Sequence, residues 1–269
     1  MHQVLRTSSD ALNKIMAHKA EEIVYRQSKL MLSDLKAMAN DVPDCRGFVA
    51  ALEASLGQHR SAVIAEIKKA SPSQGVIREN FDPKQIAQSY VHGGASCLSV
   101  LTDQEFFKGH DDYLRIARAA CELPILRKDF MRAEYQVYEA KAMQADCILL
   151  IVAALEDGLM QDLAGCAQEL GLDVLVEVHD ETELERGLAL GLGMIGINNR
   201  NLKNFTTSLD TTIGLLAHIP DEILVVTESG IHSADDIALM RQHNVDAFLV
   251  GEAFMRAEQP GQKLAEMFF

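Results

Sequence analysis

The sequence is short of the residues that make linkers, covalent staples and membrane spans. Only 6 of its 269 residues are proline, and the chain is too uniform to contain a flexible linker. Cys45, Cys97, Cys121, Cys147 and Cys166 are scattered, odd in number and free of any CxxC spacing. That excludes a disulfide framework and a zinc knuckle, and it fits a reducing, cytoplasmic setting. The N-terminus MHQVLRTSSDALNK has no continuous apolar segment, and the longest apolar run, CILLIVAAL at 147–155, is about half of what a membrane span needs. The 9 histidines contain no HExxH or other ligand spacing, so no metal is expected. Basic residues are outnumbered as well: 25 Lys and Arg face 39 Asp and Glu, a net charge of −14. This balance argues against a nucleic-acid partner. It leaves room for a small anionic substrate, which responds to local cations and helix N-termini rather than to summed charge.

What the chain does have is a repeat. From about residue 62 onward, short runs rich in Val, Ile and Leu recur, each followed by a longer amphipathic stretch. The runs are AVIAEIKK, CLSVLT, PILRKDF, CILLIVA, DVLVEVH, MIGINNR, ILVVTESG and AFLVGEA. Alternating β and α elements imply a parallel sheet. Eight such units, with no GxGxxG in the first turn, predict a closed (β/α)8 TIM barrel rather than an open doubly wound sheet. Helix signals agree: Asp82-Pro83 starts one helix with Ile86, Ala87 and Tyr90 on its apolar face, Ser233 caps another, and Gly171 closes a third that begins near Glu156. The first 60 residues fall outside the repeat. Leu12, Ile15, Met16 and Ile23 lie at helical spacing with Ser9 or Asp10 as cap, and Phe48, Leu52 and Leu56 form a second stripe. These predict an N-terminal helical extension over 1–60, packed on a barrel at 61–269 within one domain.

Two lysines stand out. Lys68 and Lys128 lie in strand-like runs where residues i and i+2 share a face, which aims Glu66 with Lys68, and Lys128 with Phe130, into the barrel. A buried lysine is costly unless paired or used. Two amines converging among apolar walls are expected to fall in pKa toward the range useful for proton transfer. Polar residues also collect at the ends of other strands, where barrel enzymes place their chemistry: Ser71 after the first, Glu177 on the fifth, Asn198 and Arg200 on the sixth, Glu228, Ser229 and Gly230 on the seventh. The second leads to Phe106 and Phe107. Gly230 and Gly251 in ESGIH and VGEAFM are expected to let the backbone approach a phosphate. Arg200 offers a planar fork for a carboxylate, and Phe107 with Phe130 suggests a sandwich for an aromatic ring.

Taken in order, ALNKIMAHKAEEI, IAEIKKASPSQG, SVLTDQEFFKG, PILRKDF, LLIVAAL, LVEVH, IGINNRNL, TESGI and FLVGEAFM resemble the indole-3-glycerol phosphate synthase family of tryptophan biosynthesis over nearly the whole chain. The resemblance implies a carboxy-lyase that closes the indole ring of 1-(2-carboxyphenylamino)-1-deoxyribulose 5-phosphate without metal or organic cofactor. It implies Lys128 as the general acid of ring closure, Glu177 in the later dehydration, and Lys68 as a substrate contact, phosphate included, that shares in proton transfer. By the same resemblance Glu66 would orient the lysines, Asn198 and Arg200 would hold the anthranilate end with Ser71 nearby, and Glu228 and Ser229 would complete the catalytic wall. The resemblance also makes Gly230, Gly251 and Glu252 the phosphate cradle, with the Glu252 carboxylate expected to turn away from the anion.

The chain departs from the family pattern at His110, where a small hydroxyl residue is common. It is expected to be monofunctional, with other tryptophan-pathway enzymes as conceivable partners. Other phosphosugar barrels fit less well, because an isomerase wants an Asp/Cys pair and an epimerase wants Asp with His ligands. A noncatalytic sensor barrel would need the phosphate cradle and Arg200, but not Lys128 together with Glu177.

Overall fold

Side-chain alternation along each apolar run decides the architecture. In the computed structural model, which describes residues 10–201 and 206–269, the runs form parallel strands β1 (Ala62–Ile67), β2 (Cys97–Leu101), β3 (Ile125–Lys128), β4 (Cys147–Ile151), β5 (Asp173–Val178), β6 (Met194–Asn198), β7 (Leu224–Glu228) and β8 (Ala247–Val250). Each pairs with its neighbours in sequence, and β1 also pairs with β8, so the sheet closes into an eight-stranded barrel with helices between the strands. This is the (β/α)8 fold expected from the repeat.

Alternate residues of each strand face opposite ways. On β1, Ala62 and Ile64 join an inner cluster with Leu126, Leu175 and Val226, while Val63, Ala65 and Ile67 pack outward under the helices. Burying each such aliphatic side chain contributes roughly 1.5–3 kcal/mol. Continuing the inward face by two residues brings Glu66 after Ile64, Lys128 after Leu126, Glu177 after Leu175 and Glu228 after Val226. The same alternation that builds the core therefore delivers charge to its C-terminal rim.

The helix signals are realised. In α4 (Pro83–Gly93) the Asp82 carboxylate accepts the N–H groups of Lys84 and Gln85, and Ile86, Ala87 and Tyr90 are buried. Ser233 and Asp236 form a reciprocal cap on α10 (Ala234–Gln242), and α7 (Asp157–Glu169) stops just before Gly171, at φ +70°.

Among the described residues, three helices precede the barrel: α1 (Asp10–Lys29), α2 (Leu32–Asn40) and α3 (Phe48–Gly57). Of the two cap candidates for α1, Ser9 lies outside the described residues and Asp10 is the first helical residue. Leu12, Ile15 and Ile23 are buried. The helices cover opposite ends of the barrel, since Ala11, Leu12 and Ile15 line the cavity at the C-terminal mouth, whereas Phe48 and Leu52 of α3 are fully buried against the inner cluster. The N-terminus of α3 is fixed by Asp173, whose Oδ2 accepts the N–H groups of Phe48 and Val49 at 2.8 and 3.0 Å. None of the described helices is long and apolar enough to cross a membrane.

Asp173→Ala removes the acceptor for two helix-terminal donors and is expected to cost about 1–2 kcal/mol of stability. Urea unfolding checks this. An unchanged midpoint would mean that α3 is held by apolar contacts alone.

Candidate active site

Charge on the inner face of a barrel has little water to answer it, so the rim residues answer one another. Lys128 ends β3, and its Nζ lies 2.6 Å from Glu228 Oε2 and 3.1 Å from Glu177 Oε2. Burial penalises the charge on Lys128, but the Glu228 and Glu177 carboxylates outweigh that penalty and hold its pKa above the ordinary lysine value. The expected downward shift is therefore reversed. The two amines share one cavity, but each is engaged by carboxylates: Lys68 Nζ is 2.5 Å from Glu66 Oε2. Lys128, so placed, carries its proton throughout the neutral range.

The two carboxylates around Lys128 are not equivalent. Burial would raise Glu177, but Lys128, then His179 and Asn198, pull it well below the usual carboxylate range. Asn198 Nδ2 donates to Glu177 Oε1 at 3.1 Å, and Asn198 Oδ1 accepts from Ser229 Oγ at 2.9 Å. Glu228 is pushed up to about 7, first by burial and then by the nearby Glu177 charge, against the pull of Lys128. Among the described residues its Oε1 has no hydrogen-bond partner.

A cavity of about 200 Å³ opens above this floor. Glu66, Lys68, Ser71, Phe107, Lys128, Phe130, Glu177, Asn198, Arg200, Glu228, Ser229, Gly230, Gly251 and Glu252 all line it. Phe106 does not. It sits edge-on to His18 of α1, with ring centroids 5.6 Å apart. Phe107 and Phe130 touch each other at 5.9 Å between centroids and a 40° tilt. A third ring stacked between them needs roughly 7 Å of separation, so the sandwich is corrected to a single apolar wall.

The glycines also differ from expectation. A side chain at Gly251 would overlap the Glu66 carboxylate, so glycine there makes room for Glu66 as much as for any ligand. Gly230 is required by its own backbone, at φ +87°. Arg200 donates to Ser73 Oγ at 3.1 Å and lies 3.6 Å from Glu252. Glu252 accepts from Arg256 at 3.0 Å, so its carboxylate is drawn to the two arginines. His110 is the N-cap of α5 (Asp111–Ala120), its Nδ1 accepting the Asp112 N–H. Among the described residues, no group of three or more His, Cys, Asp or Glu is arranged to hold a metal ion.

Sequence reading missed two features. His179 follows Glu177 by two positions on the same strand face and lies 3.4 Å from it; the i, i+2 spacing in LVEVH was the available signal. Lys19 of α1 is 1% exposed, with its ammonium 2.7 Å from Glu22, 3.0 Å from Asp103 and 2.9 Å from Asp129. Asp103 Oδ1 accepts the Phe106 and Phe107 N–H groups, and Asp129, next to Lys128, accepts that of Phe130. One amine on a helix that precedes the barrel thus ties together the two loops carrying the aromatic wall. Within helical spacing Lys19 reads as an ordinary polar residue, and nothing in its own segment marks it.

A (β/α)8 barrel whose strand ends gather ammonium and carboxylate groups around one cavity has the architecture of an acid–base enzyme. The family model described as indole-3-glycerol phosphate synthase matches residues 12–267, and the chain belongs to that family. It is accordingly an enzyme of tryptophan biosynthesis acting on a small, anionic, phosphorylated substrate. A crystal structure of KGPDC from Streptococcus mutans is similar at a TM-score of 0.59, with 12% identity over 77% of this chain and 97% of that one. At that identity the likeness is one of fold.

Lys19→Met strands Asp103 and Asp129 without their shared cation and is expected to cost about 3–5 kcal/mol. Burial works to raise Asp129, but Lys19 and Arg127 hold it below the usual carboxylate range. Its stabilisation is thus full above about pH 4 and lost as pH falls further. Urea unfolding at several acidic pH values should show a shallower pH slope in the variant. An equal slope and midpoint would remove the clamp from the argument.

Proposed function

We propose that the chain closes the indole ring of 1-(2-carboxyphenylamino)-1-deoxyribulose 5-phosphate as a carboxy-lyase, with Lys128 as general acid. The observation that carries this reading is the Lys128 ammonium, held protonated between Glu177 and Glu228 on the floor of the cavity. The ring carbon bearing the carboxylate attacks the ribulose carbonyl carbon, and Lys128 gives its proton to the carbonyl oxygen as the C–C bond forms. Carbon dioxide leaves from the same ring carbon, and the bonding pair it leaves behind restores aromaticity. The new hydroxyl then departs as water with a proton from Lys68, and a C–H proton passes to Glu177, which completes the indole.

The remaining residues hold the substrate. Arg200 takes the anthranilate carboxylate, with Asn198 and Ser71 nearby, and the Phe107–Phe130 wall packs against the aromatic ring. The phosphate lies against backbone N–H groups at Gly230 and Gly251 with help from Lys68. Glu252, already drawn to Arg256 and Arg200, leaves the anion side open. We assign the whole chain to one domain, because α1 and α3 complete the two ends of the barrel, and place it in the cytoplasm, in keeping with five free cysteines.

The direct test mixes the protein with the carboxyphenylamino deoxyribulose phosphate and a chelator, and follows indole fluorescence together with carbon dioxide release. Both signals should rise together; calorimetric binding without either would make the barrel a sensor. In the same assay Lys128→Ala should lose roughly 10²–10⁴-fold in kcat while substrate affinity is retained, and wild-type turnover would sink the role given to Lys128. Arg200→Lys loses the bidentate fork, and KM should rise about tenfold. An unchanged KM would move the carboxylate elsewhere in the cavity.

A further inference from the structure

We infer that His179, braced by Glu183, is a positioning residue that keeps the one proton of the Glu177/Glu228 pair on Glu228 and so leaves Glu177 free to accept a proton. The inference rests on the acid–base reading above and assigns a task to a side chain that does not line the cavity.

The geometry is asymmetric about Lys128. Both carboxylates hold the same ammonium, but among the described residues only Glu177 has a second cation beside it. His179 Nε2 lies 3.4 Å from Glu177 Oε1, too long for a good hydrogen bond and close enough for strong charge attraction. The ring is fixed from behind by Glu183 of α8 (Glu181–Leu188), whose Oε2 accepts from Nδ1 and from the His179 backbone N–H, each at 2.9 Å. Glu183 is itself held in place by the capping residue Asp180, which accepts the Glu183 N–H. Burial lowers the imidazole pKa, but Glu177 and Glu183 more than offset this and push it up to about 10, so His179 is a cation at neutral pH.

Around Glu177 the other polar neighbours are Lys128 from β3 and Asn198 from β6, with Glu228 facing it from β7 and Glu66 from β1 adding negative charge about Lys128. Among the described residues, Glu228 meets no second cation, and one of its oxygens has no hydrogen-bond partner. Two carboxylates about one ammonium share a proton as the pH falls, and the one with the extra cation gives it up. Without the imidazolium, the proton would be distributed over both, and Glu177 would be blocked for part of the time.

The test compares His179→Gln, which keeps a donor and loses the charge, with His179→Lys, which keeps a charge, using kcat and KM between about pH 5 and 9. The wild type and His179→Lys should hold their turnover below pH 7. In His179→Gln, kcat should fall as the pH drops through about 7 and level off at roughly half its high-pH value or below, the share of the pair in which Glu177 carries no proton, while KM is unchanged. A wild-type profile in His179→Gln, or a change confined to KM, overturns the inference.

If His179→Gln does not fold, infrared spectra at pH 6 decide instead. The protonated-carboxyl band of the wild type should vanish in Glu228→Gln, and a band that persists in Glu228→Gln overturns the inference. Turnover of Glu177→Gln separates the two levels. Its loss upholds Glu177 as a proton carrier whatever His179 does, whereas wild-type turnover removes the underlying reading.

Discussion

An ammonium group taken out of water has to be answered by the protein, and that constraint on Lys128 organises the upper half of the barrel. Two carboxylates from distant strands meet it, and a third, Glu66, meets Lys68. Three acids for two lysines leave an excess of negative charge, which is met by the raised pKa of Glu228 and by the His179 cation beside Glu177. The backbone is adapted to the same need, since Gly251 presents no side chain where the Glu66 carboxylate sits. Stability and reactivity are thus not separate features of the rim. In the proposed reaction Glu177, which helps to settle the charge of Lys128, is also the acid that takes up a proton.

The lower half follows a different rule. Below the charged rim the interior is aliphatic, with Cys97 and Cys147 as small packing residues whose thiols are raised first of all by burial. Phe48 and Leu52 of α3 close it off. A floor made rigid in this way gives the strand ends fixed positions, and fixed positions are what make separations of 2.6–3.1 Å around Lys128 sustainable.

Local period made the barrel and most of its rim legible in the sequence. Strand alternation alone says that Glu66, Lys68, Lys128, Glu177, Asn198 and Glu228 face inward, and the structure has them lining one cavity. Pairing was not legible. Which carboxylate answers which lysine depends on barrel closure and on the register that sets Asn198 beside Glu228, so the expected drop in the pKa of Lys128 came out with the wrong sign. The Phe107–Phe130 distance failed for a similar reason, because strand order does not fix how closely two loop ends approach. Lys19 escaped notice because its partners lie on the far side of the sequence, and His179 because its significance comes from a charge two residues away that is itself part of a pair.

Lys19 also sets an order of events. It is made long before Asp103 and Asp129, the acids it joins, so during synthesis α1 cannot take its final place until the third strand has been completed. Until then its amine stays in water. Local helices form without waiting for distant residues, whereas contacts between remote parts of a chain are paid for in loop entropy and come late. The clamp therefore cannot close before the third strand is made, and the two loops that carry the aromatic wall gain their shared cation only when α1 joins them.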